Sequence, residues 1–204
     1  MDLDEFYWNT RYQTNDIGWD IGSVSPPIKA YIDQLTNKQL RILIPGCGNT
    51  YEAEYLLQQG FTNVTIIDIA PFLVKELKLK FNGNPYINII LGNFFDLYAE
   101  YDLIIEQTFF CALDPHKREA YVDKMKLLLA PNGKIAGLLF NKIFDQQGPP
   151  FGGTKEIYLP LFSNHFHLQV FELCYNSFVK RQGSELFIIF KKRTNSFNNT
   201  VTHR

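Results

Sequence analysis

The sequence has little cysteine, little net charge and no long hydrophobic run. Its three cysteines are widely spaced and include no CxxC pair, so we expect neither a disulfide scaffold nor a structural zinc site. Twenty Lys and Arg residues against 21 Asp and Glu leave a net charge of −1, which gives no electrostatic footprint for nucleic acid or an anionic membrane. No apolar stretch reaches the roughly 18 to 20 residues that a membrane-spanning helix needs.

Two further absences bear on location and on metal chemistry. The acidic N-terminus, MDLDEFYW, lacks the basic and apolar regions of a signal peptide, so we expect a cytoplasmic protein. His165 and His167 flank a predicted strand start without a third ligand, so we expect no metal ion. No exposed heptad or long apolar face indicates an oligomeric state.

Apolar residues are abundant. They make up 46% of the 204 residues, which suffices for the core of one domain over residues 1–204. Five continuous apolar runs predict buried strands at residues 40–45, 64–68, 86–91, 101–106 and 134–140. Such strands are typical of a parallel sheet covered on both faces. Two later runs, at 167–175 and 184–192, predict an antiparallel pair at the sheet's edge. The polar residues 193–204 are expected to be frayed.

Helical patterns lie between these runs. The first helix has Glu52 placed in a capping arrangement and ends at Gly60. The second begins at Pro71, and the third has Asp114 as its N-cap and stops at 131–133. This alternation of strand and helix predicts a doubly wound α/β fold with helices on both faces of the sheet.

A glycine turn joins the first predicted strand to the first helix. It reads Pro45-Gly46-Cys47-Gly48-Asn49-Thr50, and its glycines let the backbone approach a ligand closely. Asp68 ends the second strand and is placed to accept both ribose hydroxyls of an adenosine cofactor. Tyr51 stands where a dinucleotide-binding turn has its third glycine, which disfavours a pyrophosphate there. S-adenosylmethionine (SAM) has no phosphate, so the turn favours SAM over a nicotinamide cofactor.

Two residues after the third predicted strand are suited to bind adenine. Asn93 can offer both a donor and an acceptor to the edge of the base, and Phe94 can pack on its face. Phe95, the next residue, is expected in the core.

Four segments together resemble a known family. They are FYWNTRYQTNDIGWDIGSVSPP at 6–27, IPGCGNTYEAE at 44–54, YDLIIEQTFFCALDPHKREAYVDKMKLLLAPNGK at 101–134 and GPPF at 148–151. The pattern is similar to the thiopurine S-methyltransferase superfamily, and most of all to plant-type thiol and halide methyltransferases. The resemblance covers nearly the whole chain. It implies a class I, Rossmann-like SAM-dependent methyltransferase, which releases S-adenosyl-L-homocysteine (SAH).

The resemblance also implies roles for single residues. Trp8, Tyr12 and Trp19 match aromatics around the methionine end of SAM, where an aromatic face stabilises a sulfonium by about 0.5–2 kcal/mol. Gln107 matches a position near the methionine portion that is often aromatic. Tyr12 departs from a usual Trp, and Asn93 from a common Asp. The cofactor-binding residues predicted from the turn, the adenine pair and the resemblance are Trp8, Tyr12, Trp19, Gly46, Gly48, Asp68, Asn93, Phe94 and Gln107.

The N-terminal segment, residues 1–25, is expected to act as a lid that orders over bound SAM and excludes water. The alternative is that its tryptophans simply pack an N-terminal helix onto the sheet.

A candidate acceptor pocket follows the fourth predicted strand, at the carboxyl edge where ligands enter an open α/β sheet. Its predicted lining residues are Phe109, Phe110, Phe151 and Arg181. This set is mostly apolar with one cation. Arg181 is alternatively an ion-pair partner of Glu185. Cys111 is expected as a buried apolar residue and His116 as a solvated one, so no catalytic base is assigned.

These observations predict methyl transfer from SAM to a small soft nucleophile, a thiol or a halide, by in-line displacement. One alternative is an O- or N-methyltransferase of a small metabolite, with His116 as its base. Another is a non-catalytic SAM-binding module that pairs with a second subunit. A nicotinamide oxidoreductase is disfavoured by Tyr51 and by the aromatic N-terminal segment.

Overall fold

The structure is a computed structural model that describes residues 2–193. Its helices are α1 Glu5–Gln13, α2 Pro26–Asp33, α3 Tyr51–Gln58, α4 Pro71–Lys80, α5 Arg118–Leu128 and α6 Lys155–Ser163. Its strands are β1 Ile42–Pro45, β2 Val64–Asp68, β3 Ile87–Leu91, β4 Tyr101–Gln107, β5 Leu129–Phe140, β6 Phe166–Leu173 and β7 Glu185–Lys192. No helix among these residues is long and apolar enough to cross a membrane.

The seven strands form one sheet in the order β3-β2-β1-β4-β5-β7-β6. β1 to β5 run parallel, and β7 lies antiparallel between β5 and β6. The predicted fold, five parallel strands and an antiparallel edge pair, is therefore confirmed. Because parallel strands share their direction, β1 to β5 all end at one edge of the sheet, and β7 begins there.

Both faces of the sheet are covered along β1, β2, β4 and β5, which explains their continuous apolar runs, whereas β3, predicted as buried, is an edge strand that leaves Leu91 46% exposed. Along β1, Leu43 packs into one core, while Ile42 and Ile44 pack into the other. Helices α5 and α6 lie on the Leu43 side, and α2, α3 and α4 lie on the opposite side. Each large apolar side chain buried in this way contributes about 1.5–3 kcal/mol.

The predicted capping role of Glu52 is wrong, because a long-range contact engages its carboxylate. α3 begins at Tyr51 after Thr50, and the Glu52 carboxylate accepts from the Ser25 backbone N–H instead of closing a cap. The prediction of Asp114 as an N-cap is confirmed: its side chain accepts from the His116 N–H, and the 3-10 turn Pro115–Lys117 runs directly into α5.

The structure also corrects two predicted ends. α5 stops at Leu128, and the segment at 130–133 bulges out of the pairing between β4 and β5. Arg193, expected in the frayed tail, donates from its backbone N–H to the His165 carbonyl and from Nε to the Phe166 carbonyl. The rest of that predicted tail, 194–204, lies outside the described residues. α6 was not predicted at all.

Candidate active site

A cavity of about 1070 Å³ opens at the carboxyl edge of the sheet. It runs past the ends of β2 and β3 on one side and past the ends of β4 and β5 and the start of β7 on the other. Between these sides lies β1, which pairs with β2 on one side and with β4 on the other. From β1 the chain first adds strands on one side and then crosses over to add strands on the other. Such a switch point is where open α/β sheets bind ligands.

Asp68 lies at the end of β2 and lines this cavity. Its Oδ2 accepts from the Gly48 backbone N–H at 3.2 Å and its Oδ1 from the Ala70 N–H at 3.0 Å. Burial raises the pKa of the Asp68 carboxyl, and these backbone donors partly offset that effect. Each oxygen has one backbone donor and keeps acceptor capacity for a further group. The arrangement fits a ligand that presents two neighbouring hydroxyls, as an adenosine ribose does.

Glycine occupies positions 46 and 48 of the turn for different structural reasons. Gly46 and Gly48 have φ angles of 54° and 52°, in the left-handed region that favours glycine. A Cβ on Gly46 would lie 2.1 Å from Cδ2 of Phe109, so the space beside Gly46 is filled by that ring. Gly46 lines the cavity, whereas Gly48 does not and instead orients Asp68. At Gly48 the reason for glycine is therefore the positive φ angle, and not the close approach of a ligand.

Asn93 and Phe94 follow β3 and both line the cavity. Asn93 Oδ1 accepts from the Phe95 backbone N–H at 3.0 Å, which leaves the side-chain N–H groups as donors for a ligand. The Phe94 ring is buried and meets the Phe109 ring edge-on, with centroids 5.1 Å apart.

The N-terminal aromatics form a cluster on the cavity wall. Trp8 and Tyr12 each meet Trp19 nearly at right angles, with ring centroids 5.6 and 5.8 Å away. Arg11 covers one face of Trp19, its guanidinium carbon 5.0 Å from the ring centroid. Burial raises the pKa of the Tyr12 phenol, so this hydroxyl stays protonated at neutral pH. The three predicted rings are thus brought together at one cavity.

Besides the bonds of Ser25 to Glu52 and Gln107, three hydrogen-bonded contacts, none of them predicted, hold the N-terminal segment against the domain. Asp20 Oδ2 accepts from the Tyr51 hydroxyl at 3.2 Å and from the side chain of Asn49 in the glycine turn. Asn9 Oδ1 accepts from the backbone N–H of Phe72, in the first turn of α4, at 2.7 Å.

The third contact comes from Arg181. Its Nη2 donates to the Trp19 carbonyl at 2.6 Å. The same guanidinium pairs with buried Glu185 at 3.4 Å and lies 5.5 Å from the centroid of Phe140. Arg181 therefore both lines the cavity and forms the ion pair that the sequence left as its alternative role. Phe140 and Phe144 line the cavity near it, and Phe109 lines the cavity just after β4; we call the part of the cavity lined by these rings and Arg181 the acceptor half.

Besides Gly48, three residues predicted for the site do not line the cavity. Phe110 is 1% exposed and packs in the core against Tyr121. Phe151 donates its backbone N–H to the Cys111 carbonyl at 2.6 Å, while Pro149 and Pro150 before it reach the cavity.

The third is Gln107, whose Oε1 accepts from the Ser25 hydroxyl at 3.3 Å. His116 also lies outside the cavity lining; its side chain is 97% exposed and pairs with Asp114. The His116 imidazole is therefore a surface group in this structure.

A buried carboxylate missed by the sequence analysis closes β4. Glu106 is fully buried, and burial raises its pKa to about 7. Its Oε1 accepts from the backbone N–H groups of Phe109 and Phe110 at 2.8 and 2.9 Å, and its Oε2 from the Tyr121 hydroxyl. The signal for it was an acidic residue near the end of an apolar strand.

Comparison with known proteins agrees with this geometry. A family model described as thiopurine S-methyltransferase (TPMT) matches residues 3–195. The chain is 29% identical over 149 residues to "Probable thiol methyltransferase 2" of Arabidopsis thaliana, covering 71% of this chain and 66% of that protein. It is 26% identical over 189 residues to a thiopurine S-methyltransferase of Acinetobacter baylyi, covering 80% of this chain and 86% of the relative.

A solved structure shows the same fold. It is 1,6-didemethyltoxoflavin-N1-methyltransferase of Burkholderia thailandensis, crystallised with SAH and its substrate. The TM-score is 0.70 at 18% sequence identity, covering 93% of this chain and 86% of that one. At this identity the likeness concerns the fold alone.

Proposed function

Because this chain belongs to the thiopurine S-methyltransferase family and is a SAM-dependent methyltransferase, we propose that it methylates a small soft nucleophile, a thiol or a halide. The observation that carries the proposal is the acceptor half of the cavity. Phenylalanine rings and the Arg181 guanidinium form it together with Lys142, whose ammonium lies 5.5 Å from the Phe144 ring centroid, and none of the cavity-lining residues within 2–193 is a histidine. The relatives described as thiol and thiopurine S-methyltransferases support a sulfur acceptor.

In this proposal the other half of the cavity holds the cofactor. Asp68 binds the ribose hydroxyls, Asn93 donates to the adenine edge and Phe94 packs against the base. The rings of Trp8, Tyr12 and Trp19 lie at the methionine end, where a weakly hydrated sulfonium gains from aromatic faces. SAM supplies an activated methyl group: the nucleophile forms a bond to this carbon, and the bonding pair stays on the departing sulfur.

The acceptor half acts by positioning and by excluding water. Phe109, Phe140 and Phe144 make an apolar wall on which a soft anion loses little hydration energy, since such ions are weakly hydrated. Arg181 adds positive charge, and the carboxylate of Glu185, which pairs with its guanidinium, offsets part of that charge. A hydroxyl or an ammonium has to lose a proton to a placed base, whereas a halide has none and about a tenth of a thiol with pKa near 8.5 is already thiolate at pH 7.5.

The test is product detection by mass spectrometry after incubation with SAM and matched acceptors. Benzyl thiol, benzyl alcohol and benzylamine share one skeleton and differ in the nucleophilic atom, and iodide is the halide arm. We expect S-methyl and methyl iodide products and no O- or N-methyl product. Preferential O- or N-methylation would refute the acceptor class, and tight SAH binding without any product would favour a non-catalytic binding module.

A further inference from the structure

We propose that Glu106 is a positioning residue for methyl transfer, acting through Phe109. Its carboxylate folds the turn after β4 so that the Phe109 ring forms the wall between the glycine turn and the acceptor half of the cavity. The inference rests on the proposed function in one respect, namely that the acceptor binds beside Phe109.

The hydrogen bonds of Glu106 define the turn. The chain leaves β4 through Thr108, which has a φ of 62°, a left-handed conformation that strains a β-branched residue. The two N–H groups that follow, those of Phe109 and Phe110, both point back to Oε1 of Glu106. These two hydrogen bonds to one oxygen of a buried side chain offset the strain of the reversal.

The position of Phe109 depends on this turn. Its ring occupies the space where a side chain on Gly46 would lie, and it meets the Phe94 ring edge-on. It thus touches the glycine turn and the residue proposed to hold adenine, and it lines the cavity itself. A displacement of about 1 Å in such a wall can cost about 100-fold in rate, because methyl transfer needs near-attack alignment.

Helix α5 completes the arrangement from one face. Tyr121 donates its hydroxyl to Glu106 Oε2, and Arg118, three residues earlier, donates from Nη2 to the Gly152 carbonyl at 2.8 Å. Residues three apart lie on the same side of a helix. The turn after β4 and the loop carrying Pro149 and Pro150 are therefore both held by α5. Glu106 does not line the cavity, so it acts on the reaction through the turn.

The experiment compares four variants at saturating SAM with the thiol that the wild type methylates best. Glu106→Gln keeps an oxygen for the two backbone donors, and its amide N–H donates to the Tyr121 hydroxyl, which is the donor in the wild type, so kcat/KM is expected within about threefold of wild type. Glu106→Leu keeps the bulk but no acceptor, and kcat/KM is expected to fall about 10- to 100-fold. The Kd of SAH is expected to change by a smaller factor than kcat/KM, because Phe109 touches Gly46 and Phe94, whereas Asp68 at the end of β2 and Asn93 after β3 are held independently of the turn.

Two further variants keep the test decisive if Glu106→Leu does not fold. Tyr121→Phe removes one donor but keeps the ring, and kcat/KM is expected to fall about 3- to 10-fold. Asp102→Asn is the matched control: it lies at the opposite end of β4, pairs with Arg41 and is expected to lower the melting temperature only. The inference is overturned if folded Tyr121→Phe and Glu106→Leu retain wild-type kcat/KM, or if Glu106→Gln loses as much as Glu106→Leu.

A failure of the proposed function can be told apart from a failure of this inference, because the acceptor class is tested with the wild-type protein alone. If the wild type methylates only a hydroxyl or an amine, the same four variants are assayed with that acceptor, and the same outcomes decide.

Discussion

Replacing Asp68 by alanine is expected to weaken binding of SAM and SAH without removing the cavity. Both carboxylate oxygens are already held by one backbone N–H each, so the carboxylate is oriented before a ligand arrives. The side chain is only 7% exposed, so little further hydration is lost when ribose hydroxyls donate to it. The binding energy at this residue therefore comes from hydrogen bonds to a charged acceptor.

The magnitude follows from that geometry. A hydrogen bond to a charged group contributes about 1.5–3 kcal/mol, and two hydroxyls can reach one oxygen each. Alanine leaves a space in which water can hydrate the hydroxyls, which returns part of the loss. We therefore expect a net loss of about 1.5–3 kcal/mol, equal to an increase in Kd of roughly 10- to 150-fold.

Titration calorimetry with SAH measures this directly. The control is Gln107→Ala, because the structure places Gln107 on Ser25 and off the cavity lining, and its Kd is expected within about twofold of wild type. An Asp68→Ala protein that binds SAH as tightly as wild type would show that the ribose is held elsewhere. A large effect of Gln107→Ala would restore the role that the family resemblance implied for it.

Three further results are expected. Hydrogen exchange over residues 5–25 slows when SAH is added, because Trp8, Tyr12 and Trp19 lie on the cavity wall; equal exchange with and without ligand would contradict a lid. His116→Ala keeps most activity because the imidazole is solvated, and a loss of about 10³-fold or more with intact SAH binding would support a base. Glu106 has a folded pKa of about 7 against 4.5 in the unfolded chain, so its ionisation destabilises the fold as pH rises through that window. Urea unfolding should therefore show Glu106→Gln gaining roughly 2–3 kcal/mol on wild type between pH 5 and pH 8, and a pH-independent difference would contradict the shift.

The strands and the cofactor half were the most predictable parts of the protein. Continuous apolar runs such as those of β1, β2, β4 and β5 can be buried only in a sheet covered on both faces, so they indicated the architecture directly. Asp68 was predictable because the end of a strand after a glycine turn places a carboxylate at the ligand edge whatever the helices do.

The acceptor half was less predictable because the direction of neighbouring side chains there depends on the turn. Phe109 and Phe110 are adjacent and chemically identical, yet one lines the cavity and the other is core. The positive φ of Thr108 and the two bonds to Glu106 decide between them. No local pattern in the sequence reports such a reversal.

Contacts between distant segments explain the remaining errors. Glu52 looked like a capping residue, but its carboxylate binds the Ser25 N–H, 27 positions away. The first turn of α4 is met by Asn9, 63 positions away. Such pairings depend on the packed fold, so a pattern read within one helix does not contain them.

The most direct test of the proposed chemistry is the pH dependence of kcat/KM for a thiol and for iodide from pH 7.5 to 9.5, above the titration of Glu106. If positioning and desolvation suffice, kcat/KM for the thiol rises along the thiol's own ionisation, and the value for iodide stays nearly flat. The proposal would be contradicted if kcat/KM for the thiol did not follow the pKa of the thiol, or if kcat/KM for iodide followed the titration of an enzyme group. Either result would show that a catalytic base takes part and would contradict transfer to an acceptor that is already an anion.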